Sequence, residues 1–251
     1  MQFRFKTFGL HLASSVSALA LVLGPLYLGW YSWPGWYLAD ALHIVIVMVS
    51  ADVLLGPLLT LLIANPAKPR NVLARDIAVI VAVQLLALIY GATTLWRGRP
   101  LYYAFSQDRL EIVAASDIDA NETTLAYKQN ASLAPTWHST PRWIWAPLPA
   151  DDKAAGAIVS AAIFGGKDVI QMPRYFKDWK QGLPELRRQL RPVDSMKMFS
   201  EKEKQRLNER MRERGFEPTQ PIAMPVFGPD KRVLAVLDEN SLQIRAFIRA
   251  D

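Results

Sequence analysis

Residues 41–64 read ALHIVIVMVSADVLLGPLLTLLIA, an apolar run broken by His43, Ser50, Asp52 and Thr60. At about 1.5 Å per residue, a helix of this length crosses the roughly 30 Å of bilayer hydrocarbon. It ends at Asn65-Pro66, where proline lacks an amide donor and biases its predecessor away from helical geometry. Two flanking stretches have the same character. Leu10 to Trp30 is interrupted only by His11 and three serines, and Ile77 to Trp96 lies between Arg75-Asp76 and Arg97-Gly98-Arg99-Pro100. Arg4, Lys6 and the triplet Ala18-Leu19-Ala20 imitate a signal peptide, but the apolar run continues to Leu28. Cleavage would cut it mid-span, so it reads as an uncleaved anchor. The expected organisation is three transmembrane helices over residues 1–96 and an attached domain over 97–251.

Charge placement orients the spans. The chain carries 29 Lys and Arg against 23 Asp and Glu. Arg4 and Lys6 precede the first span, and Lys68, Arg70 and Arg75 lie in the second connection. The first connection, Tyr31 to Asp40, has no basic residue. The excess of basic residues on cytoplasmic loops then places the N-terminus and second connection inside, with the first connection and everything after Trp96 outside. Trp30, Trp33, Trp36, Tyr37 and Trp96 all fall at the same outer interface, where aromatic belts form. Arg97 and Arg99 run against this pattern, which a large translocated domain tolerates.

Beyond Trp96 the composition is that of a globular domain. Leu101 to Ser106 and Arg109 to Ala114 flank Gln107-Asp108 and predict a hairpin. Ile222 to Phe227, Arg232 to Leu237 and Leu242 to Ile248 are separated by turn-forming clusters and predict a three-stranded antiparallel meander. Pro225 cannot donate to a ladder, so the first of these strands is expected at an edge. Asp151 to Phe164 predicts a helix stopped by Gly165-Gly166. Glu201 to Arg214 predicts another, with Ser200 as N-cap, Glu203 completing a capping box, Gly215 at its end and Phe216 meeting Met211. Its apolar stripe (Leu207, Met211, Phe199) is narrow, so it should lie on the domain's surface. Strands flanking helices make this an α+β soluble domain.

Asp52 is the most informative side chain. A carboxylate at mid-helix costs about 2.5–3.5 kcal/mol on insertion scales, so it faces protein or water rather than lipid. Gln84 lies at comparable depth in the third span and is expected to hydrogen-bond to it. Two readings stay open: the pair, with Ser14 or Ser17, glues the three helices together, or Asp52 meets a polar group on another protein's membrane helix. Gly56-Pro57 breaks the helical ladder one turn later, freeing a backbone carbonyl and kinking the span. Asp52 and Asp76 cannot form a proton-sharing dyad, because about twelve residues of helix, near 18 Å, separate their depths. Asp76 reads instead as a favourable charge in the first turn of the third helix. His43, nine residues before Asp52, points to the opposite face.

Chemical motifs are absent. The chain has no cysteine, which removes disulfides, zinc–cysteine sites and thiol nucleophiles. His11, His43 and His138 have no metal-ligand spacing, and no G-x-S-x-G elbow occurs. Gly165-Gly166-Lys167-Asp168 lacks the remainder of a phosphate loop and reads as a helix stop. Lys202 to Arg214, with Arg187, Arg188 and Arg191, is basic but interspersed with acids as on a solvated helix. Nucleic acid is therefore not expected as a partner, whereas attraction to anionic lipid headgroups is compatible with it. No catalytic residue, metal or cofactor is expected.

The order and spacing of several short motifs resemble a known family. These are Asp52-x3-Gly56-Pro57-Leu58-Leu59-Thr60, Asn65-Pro66-x-Lys68-Pro69, Arg75-Asp76, Gln84, Tyr90-Gly91 and Arg99-Pro100. In the attached domain they are Phe105-x2-Asp108-Arg109, Val113-x-Ala115-x-Asp117-Ile118, Gly165-Gly166-Lys167-Asp168 and Pro173-x-Tyr175. Together they are similar to the type IV pilin accessory proteins of the TfpX/TfpZ group over most of residues 40–180. The resemblance implies a bacterial inner-membrane protein with a periplasmic C-terminal domain. It also implies a non-enzymatic chaperone that helps its cognate major type IV pilin accumulate or enter the assembly machine, with other inner-membrane assembly components as further partners.

The residues add a physical candidate for that contact. Asp52, Gln84 and the Gly56-Pro57 kink are expected to line a cradle for a pilin helix. Arg99, Asp108 and Arg109, just outside the membrane, are expected to orient the pilin's soluble part. Two other classes of function stay in view: an enzyme modifying pilin or a lipid-linked substrate at the outer face, with Asp108, Asp117 and Asp168 as the acids to test, and a periplasmic ligand-binding sensor or scaffold.

Overall fold

The computed structural model describes residues 2–135 and 141–251. The chain divides into two compact units, residues 1–31 with 41–98, and residues 32–40 with 99–251.

The first unit holds three helices long and apolar enough to cross a membrane: Gln2–Tyr31, Leu42–Ile63 and Arg70–Arg97. The first and second include wide, π-helical turns at Tyr27–Tyr31 and Ser50–Leu55. The second of these turns follows from the sequence. Gly56 N–H donates five residues back, to Ala51 O. The next bond in that register would come from residue 57, which is proline and has no N–H. The ladder therefore leaves the Asp52 carbonyl open, as the Gly56-Pro57 pair led one to expect. Small residues let the helices approach: a Cβ on Gly91 would lie 2.4 Å from the Met48 side chain, and one on Gly56 would lie 2.1 Å from Gln84 Nε2. At the C-terminal ends of the first and third spans, Trp30 meets Trp96 edge-on at 5.1 Å and Tyr31 Oη donates to Leu95 O at 2.7 Å.

One expectation for this unit is corrected. Asp76 is not in the first turn of the third helix, because the helix starts at Arg70, directly after Pro69. Asp76 lies in the second turn and pairs with Lys68 at 2.9 Å.

The second unit is an α+β domain around a mixed seven-stranded sheet. Its strands are β1 (Pro100–Ser106), β2 (Arg109–Ala114), β3 (Arg142–Trp145), β4 (Lys177–Asp178), β5 (Ala223–Phe227), β6 (Arg232–Leu237) and β7 (Ile244–Arg249), in the order β4-β3-β1-β2-β5-β6-β7. The hairpin β1–β2 and the meander β5–β6–β7 are antiparallel as expected. They are joined by a parallel β2–β5 contact that makes both parts of one sheet. The expected edge position of β5 is thereby overturned: β5 is central. It accommodates Pro225 because its pairing with β2 is confined to Val226 and Phe227 and stops short of the proline.

Both faces of the sheet are covered. Along β1, Tyr103 and Phe105 face one apolar cluster while Tyr102 and Ala104 face another, and along β6 Val233, Ala235 and Leu237 alternate with Leu234 and Val236 in the same way. The Glu201–Glu213 helix seals the meander side with Leu207 and Met211. The sheet is also strongly curled. Phe247 of β7 stacks on Trp143 of β3 at 6.3 Å, although five strand steps separate them, about 24 Å in a flat sheet. The hollow so formed holds the Trp179–Gln189 helix through Leu186 and, unexpectedly, Tyr37 and Leu38 from the first connection. Leu38 is fully buried, and Gly228 allows its entry, since a Cβ there would stand 2.0 Å from Leu38 O. Tyr37 thus belongs to the domain core.

Candidate functional site

The polar residues of the three spans converge on Gln84. Its Nε2 donates to the Asp52 carbonyl at 2.9 Å and reaches Ser15 Oγ at 3.4 Å. Its Oε1 lies 2.7 Å from His11 Nε2, and His11 Nδ1 lies 2.6 Å from Thr60 Oγ1. These partners set the directions. With the Gln84 amide nitrogen committed to a carbonyl, its oxygen accepts from His11 Nε2–H, and in the neutral imidazole Nδ1 then accepts the Thr60 hydroxyl proton. One chain of hydrogen bonds, Thr60 to His11 to Gln84 to the Asp52 carbonyl, ties all three spans together. It satisfies the carbonyl that Pro57 leaves open.

Gln84 therefore binds the backbone of Asp52 and not its carboxylate, which corrects the expected side-chain pair. The carboxylate stands outside the chain. Asp52 is only 4% exposed, and its Oδ2 is buried with no hydrogen-bond partner among the described residues. It lines a groove of about 140 Å³ with His11, Ser15, Ala18, Gln84 and Leu85. Of the serines, Ser15 joins the cluster. Ser14 borders the groove but bonds to Leu10 O of its own helix, and no bond joins Ser17 to the cluster. Water is absent from bilayer hydrocarbon, so an acceptor that the protein leaves unpaired there is costly.

His11, Ser15 and Thr60 are the residues that reading the sequence missed. A signal was present: His11 and Ser15 are four apart, as are Asp52, Gly56 and Thr60, which places small and polar groups along single helix faces. His138 lies outside the described residues.

The remaining predicted site residues do not form one site. Arg99 precedes β1 and Asp108 follows it, so the seven residues of β1 hold them about 23 Å apart. Arg109 is already engaged by acids: it pairs with Glu111 and lies 3.7 Å from both Asp108 and Asp168. Asp108 is exposed at the hairpin turn and borders a cleft of about 340 Å³ with Arg191 and Lys197. Asp117 Oδ2 accepts from Ala114 N–H, and Asp168 Oδ1 from Val169 N–H. Among the described residues, no three His, Asp or Glu are grouped to hold a metal.

Fold and site define a class: a membrane protein of three apolar helices with an attached α+β domain and a polar cluster inside the helical unit. The chain belongs to the fimbrial assembly protein family. It is 31% identical over 120 residues to the fimbrial assembly protein of serogroups C1 and C2 of Dichelobacter nodosus, covering 48% of this chain and 92% of that protein. It is 26% identical over 194 residues to the serogroup I protein of the same organism, covering 76% of this chain and 73% of that one. The serogroup E1 protein is 25% identical over 244 residues, covering 95% and 92%. No family model and no solved structure matches the chain.

Proposed function

We propose that this protein assists type IV pilus assembly as an inner-membrane chaperone, with its N-terminus cytoplasmic and its α+β domain periplasmic, in the manner of the TfpX/TfpZ group. It receives the apolar helix of its cognate major pilin in the groove at Asp52 and carries out no chemistry of its own. One observation carries the reading. Asp52 is buried, and its Oδ2 has no hydrogen-bond partner among the described residues where it lines a groove formed by all three helices. A polar group of this kind inside a membrane is costly unless something pairs with it. A helix that presents a hydrogen-bond donor at the right depth supplies what the groove lacks, and lipid chains do not. The fimbrial assembly relatives support a pilus as the setting. The capping roles of Asp117 and Asp168 favour a non-catalytic domain, since both carboxylates are occupied by backbone amides.

The test is Asp52→Leu in cells that make the cognate pilin. The Gln84 chain uses the Asp52 backbone, so the variant should insert and fold. Pilin accumulation and surface pili should nevertheless fall several-fold. Unchanged piliation with a normally inserted variant would reduce Asp52 to a bystander.

A further inference from the structure

The domain carries a second concentration of unpaired polarity, unrelated to Asp52. Trp33, Arg210, Arg214 and Arg249 line an open pocket of about 390 Å³. Arg210 and Arg214 are four apart near the end of the Glu201–Glu213 helix, a spacing at which like charges repel. Both are fixed by bonds to β7: Arg210 Nη1 donates to Arg249 O at 2.7 Å, and Arg214 Nη1 to Phe247 O at 3.1 Å. Among the described residues neither meets a carboxylate. Arg249 does, pairing with Asp251 at 2.8 and 3.0 Å while lying over the Tyr37 ring at 4.7 Å. Three guanidinium groups thus line the pocket, and only that of Arg249 is paired with a carboxylate among the described residues. Two of them are pre-positioned with donors to spare, since each guanidinium offers five.

Trp33 says what kind of anion. It is partly exposed, packs against Trp36 and Tyr37, and follows Tyr31, the last residue of the first span, by two positions. Two residues reach at most about 7 Å, so the chain itself keeps this wall of the pocket at headgroup depth, where Trp side chains are favoured. Guanidinium forks match phosphate oxygens in pairs. From this geometry we infer that Trp33, Arg210, Arg214 and Arg249 form a binding site for the phosphodiester headgroup of an anionic phospholipid. The site shares no residue with the groove at Asp52.

The test is native mass spectrometry of the full-length protein in micelles containing equal phosphatidylglycerol and phosphatidylcholine. The wild-type protein should retain phosphatidylglycerol preferentially, and the double variant Arg210→Gln/Arg214→Gln should lose that preference by about tenfold or more. The two arginines also brace β7, so thermal unfolding is measured alongside. If the double variant is unfolded, Arg214→Gln alone carries the test, with a loss of about fivefold. Added inorganic phosphate at the lipid's concentration should leave the adduct in place. An undiminished preference in the folded variants overturns the site. Full displacement by inorganic phosphate overturns the lipid assignment in favour of a free phosphate.

Discussion

The two units treat polar side chains in opposite ways. In the α+β domain, acids and arginines meet near water: Glu203 pairs with Arg232 at 2.7 Å and Asp238 with Arg245 at 2.9 Å, all partly exposed. Such pairs are individually worth about 0–1 kcal/mol, because water competes for both partners. In the three-helix unit, water does not compete. There one chain of hydrogen bonds joins the spans through His11, Thr60, Gln84 and the Asp52 carbonyl. The difference teaches where to look for function. An unpaired carboxylate on the domain surface would mean little, whereas the same group inside the helical unit is costly and so marks a candidate functional site.

The comparison can be strained at its tightest points first. Gly228→Ala sets a Cβ against the Leu38 backbone, which cannot rotate away. It should destabilise the domain by about 3 kcal/mol or more, seen as rapid proteolysis of residues 99–251 in the full-length protein. Gly56→Ala meets the Gln84 amide instead, a side chain that can move but only by leaving its partners. Gly56→Ala and Gln84→Leu should therefore each cost the helical unit about 1–3 kcal/mol. Together they should cost clearly less than their sum, because they break the same chain; denaturant titration in detergent measures this. Arg232→Ala is the domain's counterpart and should cost no more than about 1 kcal/mol. A larger loss there than for Gln84→Leu would invert the comparison.

The smallest effect is a pH dependence confined to the domain. Arg232, helped by the Ser200 amide, holds the Glu203 carboxyl down at about 2 against an ordinary value of 4.5. A depressed carboxyl contributes stability above its unfolded value and loses it as pH falls through the folded one. Stability should thus decline between about pH 4.5 and pH 2. Glu203→Gln should flatten that part of the acid-unfolding curve.

Much of this was legible in the sequence, and the misses share a cause. The spans, the β1–β2 hairpin, the meander and the capped Glu201–Glu213 helix are local patterns, set by run length, alternation and caps, and each forms. What could not be read were meetings between distant segments. Nothing local announces that Leu38 of the first connection enters a curled sheet. Pro225 correctly signals an incomplete ladder, but the short β2–β5 pairing places that gap at the sheet's centre. At the polar cluster, Asp52, Gln84 and the Gly56-Pro57 break were apparent because each is unusual inside an apolar run. His11, Ser15 and Thr60 were missed because each is tolerable alone, and only the four-residue spacing joins them. Arg99 and Asp108-Arg109 stand at opposite ends of β1, a separation that the strand's length sets.

The central claim is that the groove beside Asp52 holds another protein's helix. Leu85 lines that groove and is half exposed, so a photo-crosslinking residue at position 85 reports directly on what occupies it. In cells making pilin, the adduct should be to the pilin's apolar helix, and it should disappear when Asp52→Leu is combined with the crosslinker in a normally inserted protein. Adducts to lipid alone, or a pilin adduct indifferent to Asp52→Leu, would contradict the account.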